Sequence, residues 1–446
     1  MCAGLGASAG DMADYLRRPI PGTWSYTEGL EQTLPTDDNW WQRFDDPLLD
    51  SLIVEGEEAN FNLSEAGHRR EIARLAMLQA DSGYFPAFSA SASYGRVRQQ
   101  GVDANSFSLG ADMSWEIDVF GKVSAGVKAK REAYRASRAD YTSAMISVAA
   151  QIATYYIDYR VTQQHIAIAR EHLESQSRVL EIAQARFEAG LASKLDVAQA
   201  KTVYYTTQTT LPQLEASLTQ TVNALSTLLG VYPDTLEPRL TAPKPLPNYE
   251  LLVPAGVPTD LLRRRPDIAA AEATLAQYAA EVGIAKKDFL PTLSLAGSIG
   301  VTSPKAKDLF KHQSFRYSIA PTLSWTIFDG FNRKYAVAQA KEQMMAGIDA
   351  YNLTVMTAVS EVNNALASYR SALLTYDYSK LSFEQSGEAF KLSVDQYKEG
   401  LSDFNNVMNA QIDWLNSANT MATAKGNALV SLIDLYKALG GSPTIE

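Results

Sequence analysis

Few residues in this chain could do covalent or metal chemistry. Cys2 is the only cysteine, which excludes an intrachain disulfide and every cysteine-based metal cluster. The four histidines, His68, His165, His172 and His312, lack the i, i+3 or i, i+4 spacing by which one helix face holds a metal. Neither a P-loop nor a dinucleotide-binding glycine loop is present, and serines and carboxylates fall where local pattern accounts for them. No catalytic, cofactor or metal site is therefore expected, and the chain is not read as an enzyme. Its 40 Lys and Arg against 50 Asp and Glu leave a net charge of −10. The cations are dispersed along the sequence, which gives no footprint for nucleic acid. What remains is hydrogen bonding and burial, and these depend on the elements that hold the residues.

Two long helices dominate those elements. Met145, Ile152, Tyr159, Ile166, Leu173, Leu180 and Phe187 place an apolar or aromatic side chain at every seventh position. Adding 210 returns the same stripe as Val355, Val362, Tyr369, Tyr376, Phe383, Phe390 and Tyr397. A repeat of seven keeps one stripe of a helix on one side and winds it against neighbours as in a coiled coil. Both stripes stop at a glycine turn, Gly190-Leu191 and Gly400-Leu401, because glycine takes the left-handed conformation that closes a helix. The returning helices end at Leu229-Gly230 and Leu439-Gly440, so the chain is a duplicated helical hairpin.

Taken in order, residues 1–47 read as an irregular surface segment. No charged and apolar leader precedes Cys2, so no signal peptide is expected, and Met1 is taken as added before a mature terminus. The first repeat covers 48–230: a short helix from Leu48 and a longer one from Leu63, a strand hairpin 87–120, a long helix 122–188 and a return helix 195–229. In the hairpin a polar turn is placed at Arg98 to Ser106, and Pro212 is expected to bend or interrupt the return helix near Gln208. The proline-rich link 231–258 is expected to be irregular. The second repeat, 259–440, has a strand hairpin 290–329, a long helix 333–398 and a return helix 403–439, and a tail follows at 441–446. Each long helix would extend about 100 Å at ~1.5 Å per residue.

The strands alternate apolar with Ser, Thr, Gly, Asp and Glu, a period of two with large aromatics near the ends. A half-exposed soluble sheet packed on helices has the same alternation. Two features favour a membrane barrel. The long helices lead away from the sheet, and no stretch reaches the roughly 18 to 20 apolar residues of a spanning helix, so a bilayer would have to be crossed by strands. Open strand edges are forbidden in hydrocarbon, and four strands cannot close a barrel by themselves. Several copies must then share one barrel.

Specific motifs support this architecture. Pro254-Ala255-Gly256-Val257-Pro258-Thr259-Asp260-Leu261-Leu262-Arg263-Arg264-Arg265-Pro266-Asp267-Ile268 resembles the signature of the TolC-like outer-membrane efflux family. So do Trp115-Glu116-Ile117-Asp118-Val119-Phe120-Gly121-Lys122, Phe289-Leu290-Pro291-Thr292-Leu293 and Ala438-Leu439-Gly440-Gly441, and the similarity is closest to the drug-efflux lipoprotein branch. The resemblance implies an α+β membrane protein of the Gram-negative outer membrane. It would be a homotrimer whose 12-stranded β-barrel, four strands per chain, continues as a 12-helix periplasmic α-barrel. An equatorial collar would be built from the N-terminal segment, the link and the C-terminus. The implied function is the exit channel of a tripartite multidrug efflux pump, working with a periplasmic adaptor and an inner-membrane pump. No cofactor is implied beyond a possible covalent lipid, and Cys2 is the only residue that matches the branch's acylated cysteine.

Site residues follow from the same resemblance. Phe88, Tyr94, Phe107, Trp115, Phe315, Tyr317 and Trp325 are the membrane-facing aromatics. Gly190, Leu191, Ser193, Gly400, Leu401 and Asp403 are the adaptor-contact tips, although helix capping alone requires the same residue types. Asn405, Asn409 and Ile412, at helical spacing past the second tip, occupy the places where family members carry charged and bulky gate residues. The departure suggests a gate of amides, joined by Gln199 and Thr202, that does not titrate. A type I protein-secretion channel is the alternative within the family, and a soluble helical scaffold the alternative outside it. Gene deletion separates the first pair by drug hypersensitivity against a missing exported protein, and purification without detergent tests the last.

Overall fold

The computed structural model describes residues 15–25, 30–31, 39–99, 101–247, 253–254, 258–260 and 264–441. Cys2, most of the N-terminal segment, part of the link and the tail after residue 441 lie outside them. The described chain is mostly helical with one four-stranded antiparallel sheet and a short parallel pairing of Leu30–Glu31 with Val253–Pro254, against the irregular course expected there, and it divides into two compact units. No described helix is long and apolar enough to cross a membrane.

One unit, Met1–Arg18, Gly67–Asp140 and Asp267–Thr354, carries the sheet. Its strands are β1 (Ala87–Gln99), β2 (Val102–Ile117), β3 (Thr292–Ser303) and β4 (Phe315–Ser324), hydrogen-bonded in that order with every neighbour antiparallel. β1 and β4 are the sheet's edges. The expected turn over Arg98 to Ser106 is largely strand. Beyond Tyr94 and Phe107 the pairing continues through Arg96 with Asn105 and Arg98 with Asp103, and Arg96 Nη2 bonds Asp103 at 2.9 Å. Here the alternation inverts, with polar residues continuing the apolar face and Val97 and Ala104 on the other, but cross-strand pairing needs only the backbone and a compatible partner. β4 ends at Ser324, so Trp325 and Ile327 follow the strand instead of belonging to it.

The repeat is inexact at the sheet. Tyr84-Phe85-Pro86 matches Phe289-Leu290-Pro291 at an offset of 205, and from Trp115 and Trp325 onward the offset is 210. The second hairpin therefore holds five more residues; its connection, 304–314, is nine residues longer than 100–101, and its strands are shorter. The two indoles keep their places nonetheless. Trp115 Nε1 donates to the Tyr84 carbonyl at 3.1 Å and Trp325 Nε1 to the Phe289 carbonyl at 3.0 Å. Helices α1 (Pro47–Ala59) and α2 (Phe61–Asp81) precede the sheet in the chain, and α3 (Lys122–Glu188) leaves it.

The other unit, Pro19–Ala66, Tyr141–Pro266 and Val355–Glu446, is helical. It holds α1, the remainder of α3, α4 (Lys194–Leu229), α5 (Pro233–Leu240), the remainder of α7 (Asn332–Lys398) and α8 (Phe404–Ala438); α6 (Pro266–Lys287) belongs chiefly to the sheet unit. Along the two seams Ile152, Tyr159, Ile166, Val355, Val362, Tyr369 and Tyr397 are buried, whereas Phe187, at the end of its stripe, is exposed. α4 runs through Pro212 without interruption, so of the expected bend or interruption the second does not occur. The link also differs from expectation, since α5 is regular. Pro233 sits in its first turn, where no N–H is needed, and Leu236 and Leu240 are buried. Tyr156 Oη donates to Asp46, and Arg160 Nη1 donates to the Ala242 carbonyl at 2.9 Å, fastening the stretch after α5 to α3.

Candidate functional site

Two places present the candidate residues, one on the sheet and one at the ends of the helical hairpins. On the sheet the register sorts side chains into two faces. Tyr94 lies beside Phe107. Next come the rows Ala92, Leu109, Val301, Phe315 and then Ala90, Ala111, Ile299, Tyr317, followed by Phe88, Met113, Gly297, Ile319. Trp115, Leu295 and Pro321, then Ile117, Leu293 and Leu323, complete this apolar face. Phe88, Tyr94, Phe315, Tyr317 and Leu323 are all exposed. Six of the seven aromatics chosen from sequence thus share one face, and Trp325 lies just past its end. The opposite face carries Ser, Thr, Gly and Ala with Asp112, Glu116 and Arg316. Gly110 and Gly300 meet there so closely that a Cβ on Gly300 would stand 2.6 Å from the Leu109 carbonyl oxygen.

The apolar face extends eleven residues along β2, from Phe107 to Ile117. A transmembrane strand needs about 9 to 11. Tyr94, Phe107 and Phe315 border its loop end, and Phe88, Trp115 and Trp325 its helix end. At ~3.4 Å per residue, Phe107 and Trp115 are about 27 Å apart along the strand. An exposed apolar surface of this extent is costly in water and favourable in hydrocarbon.

At the other place, α3 and α7 end in the same hydrogen-bond motif. Gly190 N donates to Phe187 O at 2.9 Å and Leu191 N to Arg186 O at 2.8 Å; Gly400 N donates to Tyr397 O at 3.0 Å and Leu401 N to Gln396 O at 2.9 Å. Both glycines have positive φ, +74° and +73°. Ser193 then caps α4, accepting from Asp196 N, whereas Asp403 precedes α8 without a side-chain cap bond. The turns leave Leu191 68% and Leu401 78% exposed, although capping requires no leucine at either position.

Behind the turns the two hairpins share a core of Val179, Ala183, Ala200, Tyr397, Phe404 and Val407. Arg186 spans it. Its guanidinium carbon lies 4.8 Å from the Tyr397 ring centroid, and Nη1 donates to the Lys398 carbonyl at 2.8 Å. Tyr397 Oη donates to Asp196 Oδ2 at 3.4 Å. Burial, reinforced by the Asp196 charge, raises the Tyr397 phenol above its usual range, so this hydroxyl stays a donor. Neither Arg186 nor Asp196 carries a signal in the sequence. Tyr397 was legible only as a seam position, and no local signal pairs an arginine with a side chain 211 residues away.

Of the five gate candidates, Gln199 and Asn405 are brought together, Gln199 Nε2 donating to Asn405 Oδ1 at 3.1 Å. Asn409 and Ile412 continue along an exposed side of α8. Thr202 turns its hydroxyl back onto the Ala198 carbonyl at 2.9 Å and joins neither amide. Farther from the tips His172 is 1% exposed, its ring centroid 4.1 Å from that of Trp414, and burial depresses its pKa to about 4. Among the described residues no cluster of His, Cys, Asp or Glu could hold a metal ion. The arrangement offers surfaces and hydrogen bonds, and no described group of residues forms a reaction centre.

The family described as "Outer membrane efflux protein" matches residues 52–231 and 257–441. The chain is 28% identical over 439 residues to the toluene efflux pump outer membrane protein TtgC of Pseudomonas putida, covering 95% of this chain and 90% of that protein. The outer-membrane channel OprN superposes with a TM-score of 0.88 at 29% identity, covering 95% and 98% of the two chains. The MtrE outer membrane channel of Neisseria gonorrhoeae, determined in its open state, gives 0.82 at 28% identity and covers 95% and 98%.

Proposed function

The chain belongs to the outer membrane efflux protein family, and from that membership we infer how its two sites divide the work of an efflux channel. The protein resides in the outer membrane and is the exit channel of an efflux pump; it moves solutes passively and makes or breaks no bond. The observation that carries the finer reading is the sheet, with two unpaired edges and an exposed apolar face of membrane-spanning length. Three copies would close it into twelve strands, with Phe88, Tyr94, Phe107, Trp115, Phe315, Tyr317 and Trp325 toward lipid and the small polar face toward the bore. Twelve rods would continue that bore through the periplasm. The N-terminal segment, the link and the C-terminus would belt the rods.

The tips Gly190, Leu191, Ser193, Gly400, Leu401 and Asp403 take the periplasmic adaptor, and an inner-membrane pump loads the duct from below. Two exposed leucines on hydrogen-bonded glycine turns support this assignment, because apolar side chains so placed gain by burial against a partner. Asn405, Asn409 and Ile412, with Gln199 and Thr202, narrow the entrance. The Gln199 to Asn405 bond supports an amide gate. Cargo is a class of small, largely apolar toxic compounds, in keeping with the toluene in the name of a relative. Acylation of Cys2 would add an anchor secondary to the barrel.

The mass of the particle in detergent tests the assembly. Three times the 48.8 kDa of one chain is expected, after subtraction of bound detergent. A monodisperse monomer that stays in water without detergent would overturn it.

A further inference from the structure

The cations that look scattered in sequence are gathered by the fold at one end of the sheet. Arg96 and Arg98 stand on the same face as Phe88 and Tyr94, two and four residues beyond Tyr94. That places them about 7 and 14 Å farther along the strand. The connection 304–314 adds Lys305, Lys307 and Lys311, all exposed, next to Phe315 of the same apolar face. Within this loop Lys311 Nζ bonds Asp308 at 2.6 Å, and Ser314 Oγ donates to the Asp308 carbonyl at 2.7 Å. Five cations thus face two carboxylates, Asp103 and Asp308, of which Asp103 bonds Arg96 and Asp308 bonds Lys311. Among the described residues Arg98, Lys305 and Lys307 form no ion pair. The helix end of the same sheet is different. There Lys122 bonds Asp288 at 2.6 Å, Arg333 bonds Asp329 at 2.7 Å, and Lys287 Nζ donates to the Gly121 carbonyl at 2.6 Å.

An unbalanced positive rim beyond an aromatic border, in a chain of net charge −10, is what an anionic membrane surface would attract. Headgroups occupy only about 5 to 8 Å on each side of a ~30 Å hydrocarbon layer. Arg96 and Arg98, on strands tilted as in a barrel, fall in and just above that zone. We propose that Arg96, Arg98, Lys305, Lys307 and Lys311 form a binding surface for anionic phosphate groups on the lipid headgroups of the leaflet at the loop end of the barrel. The proposal rests on the reading of the apolar face as lipid-facing. It adds a polar, charge-specific contact that orients the barrel and ties its loop end to the membrane surface.

The test uses the full chain, purified in neutral detergent, and the R96Q/R98Q/K305Q/K307Q variant, with K380Q/K391Q on an exposed stretch of α7 as the control. Each is titrated with micelles carrying bisphosphorylated lipid A or its dephosphorylated counterpart, and binding is followed by thermophoresis. Wild type and control should prefer the phosphorylated lipid by about tenfold or more, and the quadruple variant should lose that preference. High salt should weaken the contact, since exposed charges are screened. Full competition by millimolar inorganic phosphate would mean a simple phosphate site and overturn the membrane assignment. Equal binding of the two lipids, or an unchanged quadruple variant, would overturn the proposal outright. Flotation with neutral phosphatidylcholine vesicles keeps the two readings apart. Failure of the wild type to insert removes the barrel itself, whereas insertion without phosphate preference removes only the lipid contact.

Discussion

Arg186 on the first long helix and Tyr397 on the second are joined face to cation, with the guanidinium carbon 4.8 Å from the ring centroid, and the same arginine bonds the Lys398 carbonyl. The pair ties one hairpin tip to the other within a single chain. Arg186→Gln removes both contacts and should loosen the tips by about 1 to 2 kcal/mol, which raises single-channel conductance in planar bilayers. Tyr397→Phe keeps the ring under the cation and loses only the long bond to Asp196, so its effect should be smaller. A larger conductance change for Tyr397→Phe than for Arg186→Gln would show that the cation over the ring does not hold the tips.

Gly190 and Gly230 both sit at positive φ after a helix, yet they should respond differently to alanine. A Cβ at Gly190 meets nothing within 4 Å, whereas at Gly230 it would lie 2.6 Å from the Ala59 carbonyl oxygen. Gly190→Ala should cost about 1 kcal/mol of backbone strain. Gly230→Ala adds overpacking, typically another ~1 to 3 kcal/mol. Thermal unfolding of the two variants in the same detergent checks the order, and equal midpoints would contradict it.

On the proposed amide gate, Asn409→Ala should raise conductance, and the wild-type conductance should change little between acidic and neutral pH, because amides do not titrate. A steep pH response in the wild type, or no change on substitution, would remove the amide gate.

His172 gives the helical unit a pH-dependent stability. Its folded pKa of about 4 lies below the ordinary 6.5. The unfolded chain therefore binds the extra proton first as pH falls, and stability present above pH 6.5 is lost progressively down to about 4. The loss approaches roughly 3 kcal/mol per chain. His172→Phe retains a ring against Trp414 and should flatten that part of the curve relative to wild type. Parallel unfolding curves for the two proteins from pH 7 to 4 would refute the assignment.

Sequence alone determined the duplication and the two long helices, because a seven-residue stripe and a terminal glycine are local signals that burial and capping impose on any such helix. It also determined the alternating strands, whose apolar side is visible as a period of two. Polar strand pairs such as Arg98 with Asp103 are not legible, since beyond the apolar band the alternation inverts: Arg96, Arg98, Asp103 and Asn105 continue the apolar face while Val97 and Ala104 stand on the opposite one. The regular α5 is not legible either, because a proline in a first turn costs nothing and buried Leu236 and Leu240 outweigh the one inside the helix.

Only the tertiary structure decided which distant residues meet. Arg186 with Tyr397, Gln199 with Asn405, and Arg96 and Arg98 at the same end of the sheet as Lys305 and Lys307 of the connection are separated by roughly two hundred residues, and no periodicity encodes their approach. The reason is physical. A spacing records what one element must bury, whereas a contact between elements depends on the register in which their buried faces finally lock.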